Sequence, residues 1–241
     1  MGDTSLVTSF RGRLRNLAKD PQRIPAALTR RIRPRSATRG FPWVHLPDGS
    51  VTFHEGGFVS ASSPSALLAR HNFEVEAIHR ELANVRFNRS LEVGCGFGRL
   101  SMAFASHSDE HIAIDINEQA LATARITYPR LTFHHAGALS LPFPDKHFDL
   151  VAAWTVLQHI RPENIETAAF EIRRVMTPGS TLLLCEETRD PEGSGGHTWH
   201  RSVHSYEQLF APMALVHHEN IDDIASIPGM ESPGEIMLFQ E

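Results

Sequence analysis

Cysteine, tyrosine and tryptophan are scarce in this chain of 241 residues, which contains two, two and three of them respectively. The two cysteines, Cys95 and Cys185, lie far apart inside apolar runs, and this usage excludes a disulfide framework and suits a reducing compartment. No apolar run is long enough to cross a bilayer, and the first residues lack the apolar block of a signal peptide. We therefore expect a cytoplasmic protein without disulfides.

The charge of the chain is unevenly distributed. The formal net charge is −5, but residues 1–40 hold ten Arg and Lys against Asp3 and Asp20, a balance of +8 that leaves −13 for the remainder. A basic arm on an acidic body suggests that the two parts meet different partners. The length allows one α/β domain with a modest N-terminal extension.

The basic arm of residues 1–40 is partly amphipathic. Val7, Phe10, Leu14 and Leu17 recur at spacings of three and four, which indicates one apolar helix face. Such an arm can lie on an anionic membrane surface as a peripheral contact, dock on a partner, or pack on its own domain. The arginines in its second half have no aromatic residues among them, which argues against nucleic acid as the partner.

A glycine-rich stretch stands in the middle of the chain: Leu91-Glu92-Val93-Gly94-Cys95-Gly96-Phe97-Gly98-Arg99-Leu100. An apolar run ends here, glycines follow at every second position, and a helical pattern begins at once. This order predicts a buried parallel strand that turns under a ligand and re-enters as a helix whose unpaired N–H groups face an anionic group. The spacing G-x-G-x-G differs from the G-x-G-x-x-G of dinucleotide-binding folds.

From residue 90 onward, apolar runs alternate with amphipathic helical patterns, which predicts a parallel sheet covered by helices on both faces. Strands are expected near 90–94, 111–115, 131–134, 148–153 and 180–186, with two more at Ala214–His218 and Glu235–Gln240. Helices are expected near 97–106, 117–127, 162–176 and 205–211. Pro178-Gly179 is expected to end the third helix, and Ser205 with Gln208 to form a capping box for the fourth.

Two further elements are expected ahead of this region. The β-prone runs 43–46 and 51–54 flank Pro47-Asp48-Gly49-Ser50 and predict a hairpin. A helix is expected to begin at Ser63-Pro64 and to run to about Ala83.

The second predicted strand ends in Asp115, within Ala113-Ile114-Asp115-Ile116-Asn117. The carboxyl ends of neighbouring parallel strands share one sheet edge, so this carboxylate should lie beside the glycine turn. A carboxylate there can accept two hydrogen bonds from ribose hydroxyls. The pairing of Asp115 with the glycines predicts an adenosine-containing ligand.

These two motifs, together with Leu141-Pro142-Phe143-Pro144-Asp145-Lys146-His147-Phe148-Asp149-Leu150-Val151, resemble those of the class I S-adenosylmethionine-dependent methyltransferases. Within that family the chain is most similar, over about residues 70 to 240, to the subgroup acting on small molecules. The resemblance implies a Rossmann-like, mostly parallel seven-stranded sheet with an antiparallel last strand. It implies S-adenosyl-L-methionine as cofactor and a methyltransferase domain over 41–241, in which 41–89 form a lid and 90–241 the core.

The resemblance also carries cofactor roles onto matching positions. The glycines would approach the methionine half, Glu92 would bind at or around its ammonium group, and Ile116 would lie against adenine. Where the family has Gly-Asp-Ala, this chain has Ala136-Gly137-Ala138, so Gly137 cannot accept from the adenine amino group, whereas the Ala138 N–H can still donate. The predicted cofactor-binding residues are Glu92, Gly94, Cys95, Gly96, Gly98, Asp115, Ile116, Gly137, Ala138 and Trp154.

Two histidines are candidates for a catalytic base. His159 occupies the place where the family has a histidine near the transferred methyl, and it could accept a proton from a hydroxyl or amine; the alternative is a histidine hydrogen-bonded between helix and sheet. The glycine-rich loop 191–205 should open on the same edge, with His200 as a base and Trp199 and Arg201 contacting the acceptor. His197, His200 and His204 invite a metal interpretation, but no cysteine or carboxylate cluster supports it, and we predict no metal.

The leading hypothesis is therefore methyl transfer to oxygen, or less readily nitrogen, of a small metabolite or a glycan intermediate, including a lipid-linked sugar. Histidine bases favour oxygen, and no aromatic-Pro tetrapeptide typical of nucleic-acid amino methylation follows the fourth strand. A non-catalytic S-adenosylmethionine-binding module is the alternative, motivated by Gly137. A nicotinamide oxidoreductase is disfavoured by the glycine spacing.

Overall fold

The computed structural model describes residues 44–45, 51–52, 60–61, 63–83, 85–188, 198–221 and 234–241. The basic arm and residues 189–197 of the glycine-rich loop lie outside this description. The chain divides into two compact units, Met1–Arg70 with Asp222–Glu231 and His71–Ile221 with Ser232–Glu241. The candidate site is built within the second unit.

The described strands of the first unit form a small antiparallel sheet in the order β1-β2-β3. Its strands are β1 (Val44–His45), β2 (Val51–Thr52) and β3 (Ser60–Ala61). The register pairs Val44 with Thr52 and His45 with Val51. This pairing confirms the hairpin predicted around the Pro-Asp-Gly sequence.

The second unit contains a seven-stranded sheet in the order β6-β5-β4-β7-β8-β10-β9. The first five strands in this order are parallel, and β10 is antiparallel to both neighbours, which confirms the predicted Rossmann-like topology. The strands are β4 (Phe87–Val93), β5 (Ser108–Asp115), β6 (Thr132–His135), β7 (Phe148–Trp154), β8 (Met176–Glu187), β9 (Ala214–Asn220) and β10 (Gly234–Gln240).

Helices and short 3₁₀ turns connect these strands. They are α1 (Pro64–Glu81), α2 (Ser101–Ala105), α3 (Glu118–Thr127), the 3₁₀ turns Leu157–His159 and Pro162–Asn164, α4 (Ile165–Val175) and α5 (Val203–Phe210). None of the helices in the described part of the chain combines the length and the hydropathy that a bilayer crossing requires.

The central strands are continuous apolar runs in the sequence because both faces of the sheet are buried. Ile112 and Ile114 pack in one cluster with α4 and α5, whereas Ala113 between them packs with Leu121 of α3 in another. Successive side chains of a strand point to opposite faces, so both faces of β5 are covered. Full burial of one such large apolar side chain contributes about 1.5–3 kcal/mol, and β4, β7 and β8 repeat the pattern.

Three predicted boundaries are wrong. The helix expected from residue 97 begins only at Ser101, because a turn occupies the preceding residues. Pro178-Gly179 does not end a helix: α4 ends at Val175, and Gly179 lies inside β8 with φ +74° where the register against β7 shifts. The cap of α5 is Ser202, whose side chain accepts from the Ser205 N–H, so the predicted Ser205 and Gln208 capping box does not form.

Candidate cofactor and acceptor site

The carboxyl ends of four neighbouring parallel strands lie level at one edge of the sheet. The register pairs Val93 with both Ile114 and Ala153, and Trp154 with Cys185. The loops that follow β4, β5, β7 and β8 therefore start side by side. In an open α/β sheet this edge is where ligands bind.

The three glycines after β4 all adopt left-handed backbone angles, with φ of +74° at Gly94, +54° at Gly96 and +81° at Gly98. An added Cβ at Gly94 would lie 2.3 Å from Cγ2 of Val156, and one at Gly98 would lie 3.1 Å from the Tyr128 ring. At Gly96 an added Cβ would meet no heavy atom of the described residues within 4 Å. Two glycines thus permit close packing, and Gly96 leaves open space against its backbone, which we call the cradle.

Asp115 at the end of β5 reaches this glycine turn. Its Oδ2 accepts from the Gly96 N–H at 2.7 Å and its Oδ1 accepts from the Asn117 N–H at 2.8 Å. A carboxylate offers about four acceptor positions, so a half-buried Asp115 retains acceptors for ribose hydroxyls. The predicted neighbourhood of Asp115 and the glycine turn is therefore present, and its role toward the ribose stays a prediction.

Ile116 and the loop after β6 form the next part of the edge. Ile116 is 75% exposed, and an added Cβ at Gly137 would lie 3.2 Å from its Cγ2. His135 Nε2 donates to the Ile116 carbonyl at 2.9 Å, so that nitrogen does not replace the acceptor missing at Gly137. An apolar face with Gly137 and Ala138 beside it suits a flat adenine ring.

Cys95 and Glu92 lie beneath the turn, with side chains in the interior. Cys95 is buried and packs with Ala113 and Phe133, and burial raises the pKa of its thiol. Glu92 is buried; it accepts from the Ser101 hydroxyl at 2.5 Å and lies 3.5 Å from His111 Nε2. This arrangement favours a role in which Glu92 fixes the shape of the glycine turn, and it disfavours direct contact with an ammonium group.

Trp154 belongs to a buried polar group that the sequence does not reveal. Its indole N–H donates to Oε1 of Glu74 at 3.3 Å, and Oε2 of Glu74 pairs with the guanidinium of Arg99. His71 lies 3.4 Å from Arg99, and burial, followed by the Arg99 charge, lowers the pKa of His71 to about 4. Glu74 lies among the apolar residues of α1, a setting that gave no signal of this role.

The segment 199–201 packs along the turn after β7. The Trp199 N–H donates to the Gln158 carbonyl at 2.7 Å. His200 Nε2 lies 3.0 Å from Oε2 of Glu187, at the end of β8. The structure therefore places the Trp199 backbone against the turn that carries His159 and the His200 ring beside Glu187, and their roles toward an acceptor stay predictions.

Arg201 is used differently from the prediction. Its NH1 donates to the Leu157 carbonyl at 2.8 Å and its NH2 to the Ile160 carbonyl at 2.6 Å, and the residue is 9% exposed. A guanidinium engaged with backbone carbonyls holds the turn in place. This geometry favours a positioning role for Arg201 over the predicted binding of an acceptor.

The histidines whose spacing suggested a metal site do not form one group in the described structure. His200 pairs with Glu187, His204 pairs with Glu207 on α5, and His197 lies outside the described residues. Among the described residues, ligand spacing occurs at a different place, formed by Glu81, His217 and Glu219. There the guanidinium of Arg80 bridges both carboxylates at 3.1 and 2.7 Å, which accounts for the cluster as an ion-pair network.

Residues 91–179 match a family model described as a methyltransferase domain. Among curated relatives, the chain is similar to the O-methyltransferase rstn1 of Aspergillus nomiae NRRL, with 32% identity over 116 residues that cover 45% of this chain and 51% of that protein. The chain spans about half the length of the first curated relatives it matches.

Solved structures share the fold at low identity. The N-methyltransferase NodS of Bradyrhizobium japonicum WM9, in complex with S-adenosyl-L-homocysteine, has a TM-score of 0.61 at 16% identity and covers 73% of this chain and 87% of its own. The [4+2]-cyclase SpnF has a TM-score of 0.59 at 18% identity and covers 73% of this chain and 82% of its own. At these identities the likeness shows the fold alone.

Proposed function

We propose that this chain, whose residues 91–179 match a methyltransferase domain, is a class I S-adenosylmethionine-dependent methyltransferase that binds S-adenosyl-L-methionine at the edge formed by β4, β5 and β7 and methylates a small molecule. The observation that carries the proposal is the cradle at Gly96, with the Asp115 carboxylate bonded to its N–H. A glycine-lined cradle beside an acidic strand end is the arrangement that binds nucleosides in open α/β sheets.

Each part of the cofactor has a proposed partner at this edge. Asp115 would accept from the ribose hydroxyls, Ile116 would cover one face of adenine, and the Ala138 N–H would donate to a ring nitrogen. The methionine half would run over Gly96 toward Trp154. The acceptor lost at Gly137 should weaken binding by about 1 kcal/mol, the net value of one hydrogen bond.

The cofactor supplies a methyl group already activated by a sulfonium, so the protein needs mainly to align the acceptor and to exclude water. In the proposed reaction the S–CH₃ bond breaks as the acceptor oxygen forms a bond to the methyl carbon. The hydroxyl proton passes to His159 or His200. His200 pairs with Glu187 at 3.0 Å, a contact that orients its imidazole ring.

Oxygen of a small metabolite or glycan intermediate is the proposed acceptor. His159 on the turn after β7 and His200 beside Glu187 are the proposed bases for a hydroxyl, and the relative rstn1 is named as an O-methyltransferase. NodS is named as an N-methyltransferase, so an amine is the second acceptor to test. We further propose that the protein acts in the cytoplasm. Residues 1–40 would make a peripheral membrane contact if the acceptor is a lipid-linked sugar.

A binding module without turnover is the second candidate. Gly137 lacks the adenine acceptor of the family pattern, and SpnF, named as a [4+2]-cyclase, has the same fold with a different activity. Under this alternative, the cofactor or its product would bind with no methyl transfer to any acceptor.

Calorimetry followed by turnover separates these candidates. S-adenosylmethionine and S-adenosylhomocysteine should each bind at one site, and NADH should not compete. Transfer of a labelled methyl group should then be sought with pools of hydroxyl-bearing and amine-bearing acceptors. Binding without transfer to any pool would favour the module, and absence of binding would refute both.

A further inference from the structure

The turn after β7 has an unusual backbone and is held by side chains at both ends. Thr155 adopts φ +56°, a left-handed conformation that a β-branched residue rarely takes. Its N–H donates to the Cys185 carbonyl at 2.6 Å, so the chain leaves β7 still attached to β8. Strain of this kind persists only where surrounding contacts enforce it.

At the start of the turn, three successive N–H groups converge on one carboxylate. Val156 and Leu157 donate to Oε1 of Glu186 at 3.1 and 3.0 Å, and Gln158 donates to Oε2 at 3.0 Å. Glu186 is fully buried. These are charge-assisted bonds in a low-dielectric setting, where each is stronger than a neutral hydrogen bond at the surface.

At the other end of the turn, Arg201 supplies the opposite charge. Its guanidinium donates to the carbonyls of Leu157 and Ile160. The carboxylate thus meets the N–H end of the turn and the guanidinium meets its C=O end, so both charges complement the peptide dipoles. Gln158 adds a further tie, because its Oε1 accepts from the Glu187 N–H at 2.8 Å.

The held turn touches both parts of the candidate site. The Val156 isopropyl group fills the space where Gly94 lacks a Cβ, 2.3 Å from the position a Cβ would take. Three residues further on, the same turn carries His159. A shift of the turn would therefore move the wall of the glycine turn and the candidate base together.

We propose that Glu186 and Arg201 are positioning residues of the methyl-transfer site, which hold the turn from Thr155 to Ile160 against Gly94 and thereby fix His159. This inference rests on the proposed function. A carboxylate is required because an amide has one acceptor oxygen, and its NH₂ group would oppose one of the three N–H groups.

The ionisation of Glu186 follows from the same geometry. Burial raises its pKa to about 7, although the three N–H groups and Arg201 oppose the shift. The charged groups that face it are the guanidinium of Arg201 and, when ionised, the phenol of Tyr206. Protonation places a hydroxyl against an N–H of the turn, so the hold on the turn should loosen as the pH falls below 7.

Amide NMR of the full chain tests the inference without any acceptor. In the wild type, the N–H signals of Val156, Leu157 and Gln158 should lie downfield and shift together with a midpoint near pH 7. Glu186→Gln should abolish that transition. Signals that do not titrate, or that titrate equally in Glu186→Gln because a nearby histidine is the cause, would overturn the inference.

Affinity for S-adenosylhomocysteine provides the second readout. Glu186→Gln and Arg201→Lys should each raise its Kd about tenfold at pH 8, and the wild-type affinity should fall below pH 7 whereas that of Glu186→Gln should not. Glu171→Gln is the matched control, since Glu171 also accepts a backbone N–H, from Leu141, and pairs with an arginine, Arg174. It should leave the affinity and the three amide signals unchanged.

The two variants also separate the possible failures. Affinities within twofold of wild type in both folded variants would show that the pair positions nothing at the site. If Glu186→Gln does not fold, Arg201→Lys and the wild-type titration decide. If wild-type protein binds no S-adenosylhomocysteine, the proposed function fails, and the amide titration alone then supports or refutes the hold on the turn.

Discussion

Replacement of Gly96 by alanine tests whether the cradle at the candidate site binds the cofactor, and the same replacement at Gly179 provides a matched control. Gly96 and Gly179 have φ of +54° and +74°, and an added Cβ at either meets no heavy atom of the described residues within 4 Å. Gly96 lies at the proposed cofactor edge, whereas Gly179 lies near the opposite end of β8. Both variants suffer the same backbone strain, and only one places a methyl group in the cradle.

The strain is similar in the two variants and modest. An L-residue in the left-handed region costs roughly 1–2 kcal/mol, partly offset by the lower entropy of the unfolded chain. A net loss of about 1 kcal/mol corresponds to a fall in Tm of about 2–4 °C for a domain of this size. Scanning calorimetry should find the two variants within a few degrees of each other.

Affinity for S-adenosylhomocysteine should separate them. The Gly96→Ala methyl group would occupy space that the ligand needs, and overpacking together with one displaced hydrogen bond costs about 2–3 kcal/mol. This loss corresponds to a Kd roughly 30- to 150-fold higher, whereas Gly179→Ala should bind as the wild type does. Equal affinity in Gly96→Ala and wild type, or an equal loss in Gly179→Ala, would refute the cradle.

Three other substitutions test separate contacts. Gly94→Ala should destabilise the domain by about 2–4 kcal/mol, because its Cβ meets Val156. Val156→Ala in the same chain should recover part of that loss in a denaturant titration. No recovery would show that the collision between the new Cβ and Val156 is not the cause. The folded-state pKa of His71, about 4, lies below its unfolded value, so the free energy of unfolding of the wild type should fall by up to about 3 kcal/mol as the pH falls from 6.5 to 4. His71→Asn should remove this dependence of stability on pH. An unchanged dependence in the variant would exclude His71 as its cause. Glu186 acts in the opposite sense, because its folded-state pKa of about 7 lies above the ordinary value of 4.5. The free energy of unfolding of the wild type, measured against Glu186→Gln, should therefore decrease by about 3 kcal/mol as the pH rises from 4.5 to 7. A difference between the two proteins that does not depend on pH would contradict the raised pKa.

The sheet and the cofactor edge could be predicted because their signals are local. Each central strand is an apolar run short enough to be a buried strand, and the glycine turn and Asp115 follow two such runs directly. Parallel strands bring their carboxyl ends together. The register of β4 and β5 therefore places Asp115 beside Gly96 without any knowledge of distant contacts.

The contacts that hold the acceptor side depend on residues far apart in the sequence. Glu186 ends an apolar run like any solvated strand end, and its three N–H partners lie 28 to 30 residues earlier. Glu74 meets the Trp154 indole across 80 residues. Arg201 could be recognised as a charge near the site, but its engagement with the Leu157 and Ile160 carbonyls required the fold.

Local sequence patterns also gave wrong element boundaries where glycines adopt left-handed backbone angles. The helix after the glycines begins only at Ser101, because the left-handed angles at Gly96 and Gly98 cannot continue into an α-helix. Gly179 has the same left-handed geometry and produces an irregularity inside β8 rather than a helix end. Both cases show that glycine marks positive φ more reliably than it marks the end of an element.

A crystal structure with bound S-adenosylhomocysteine tests the central claim most directly. Ribose hydroxyls should lie within hydrogen-bonding distance of the Asp115 carboxylate, adenine against Ile116, and the amino-acid part over Gly96. A nucleoside bound elsewhere, or an Asp115 carboxylate that makes no contact with the ribose, would contradict it.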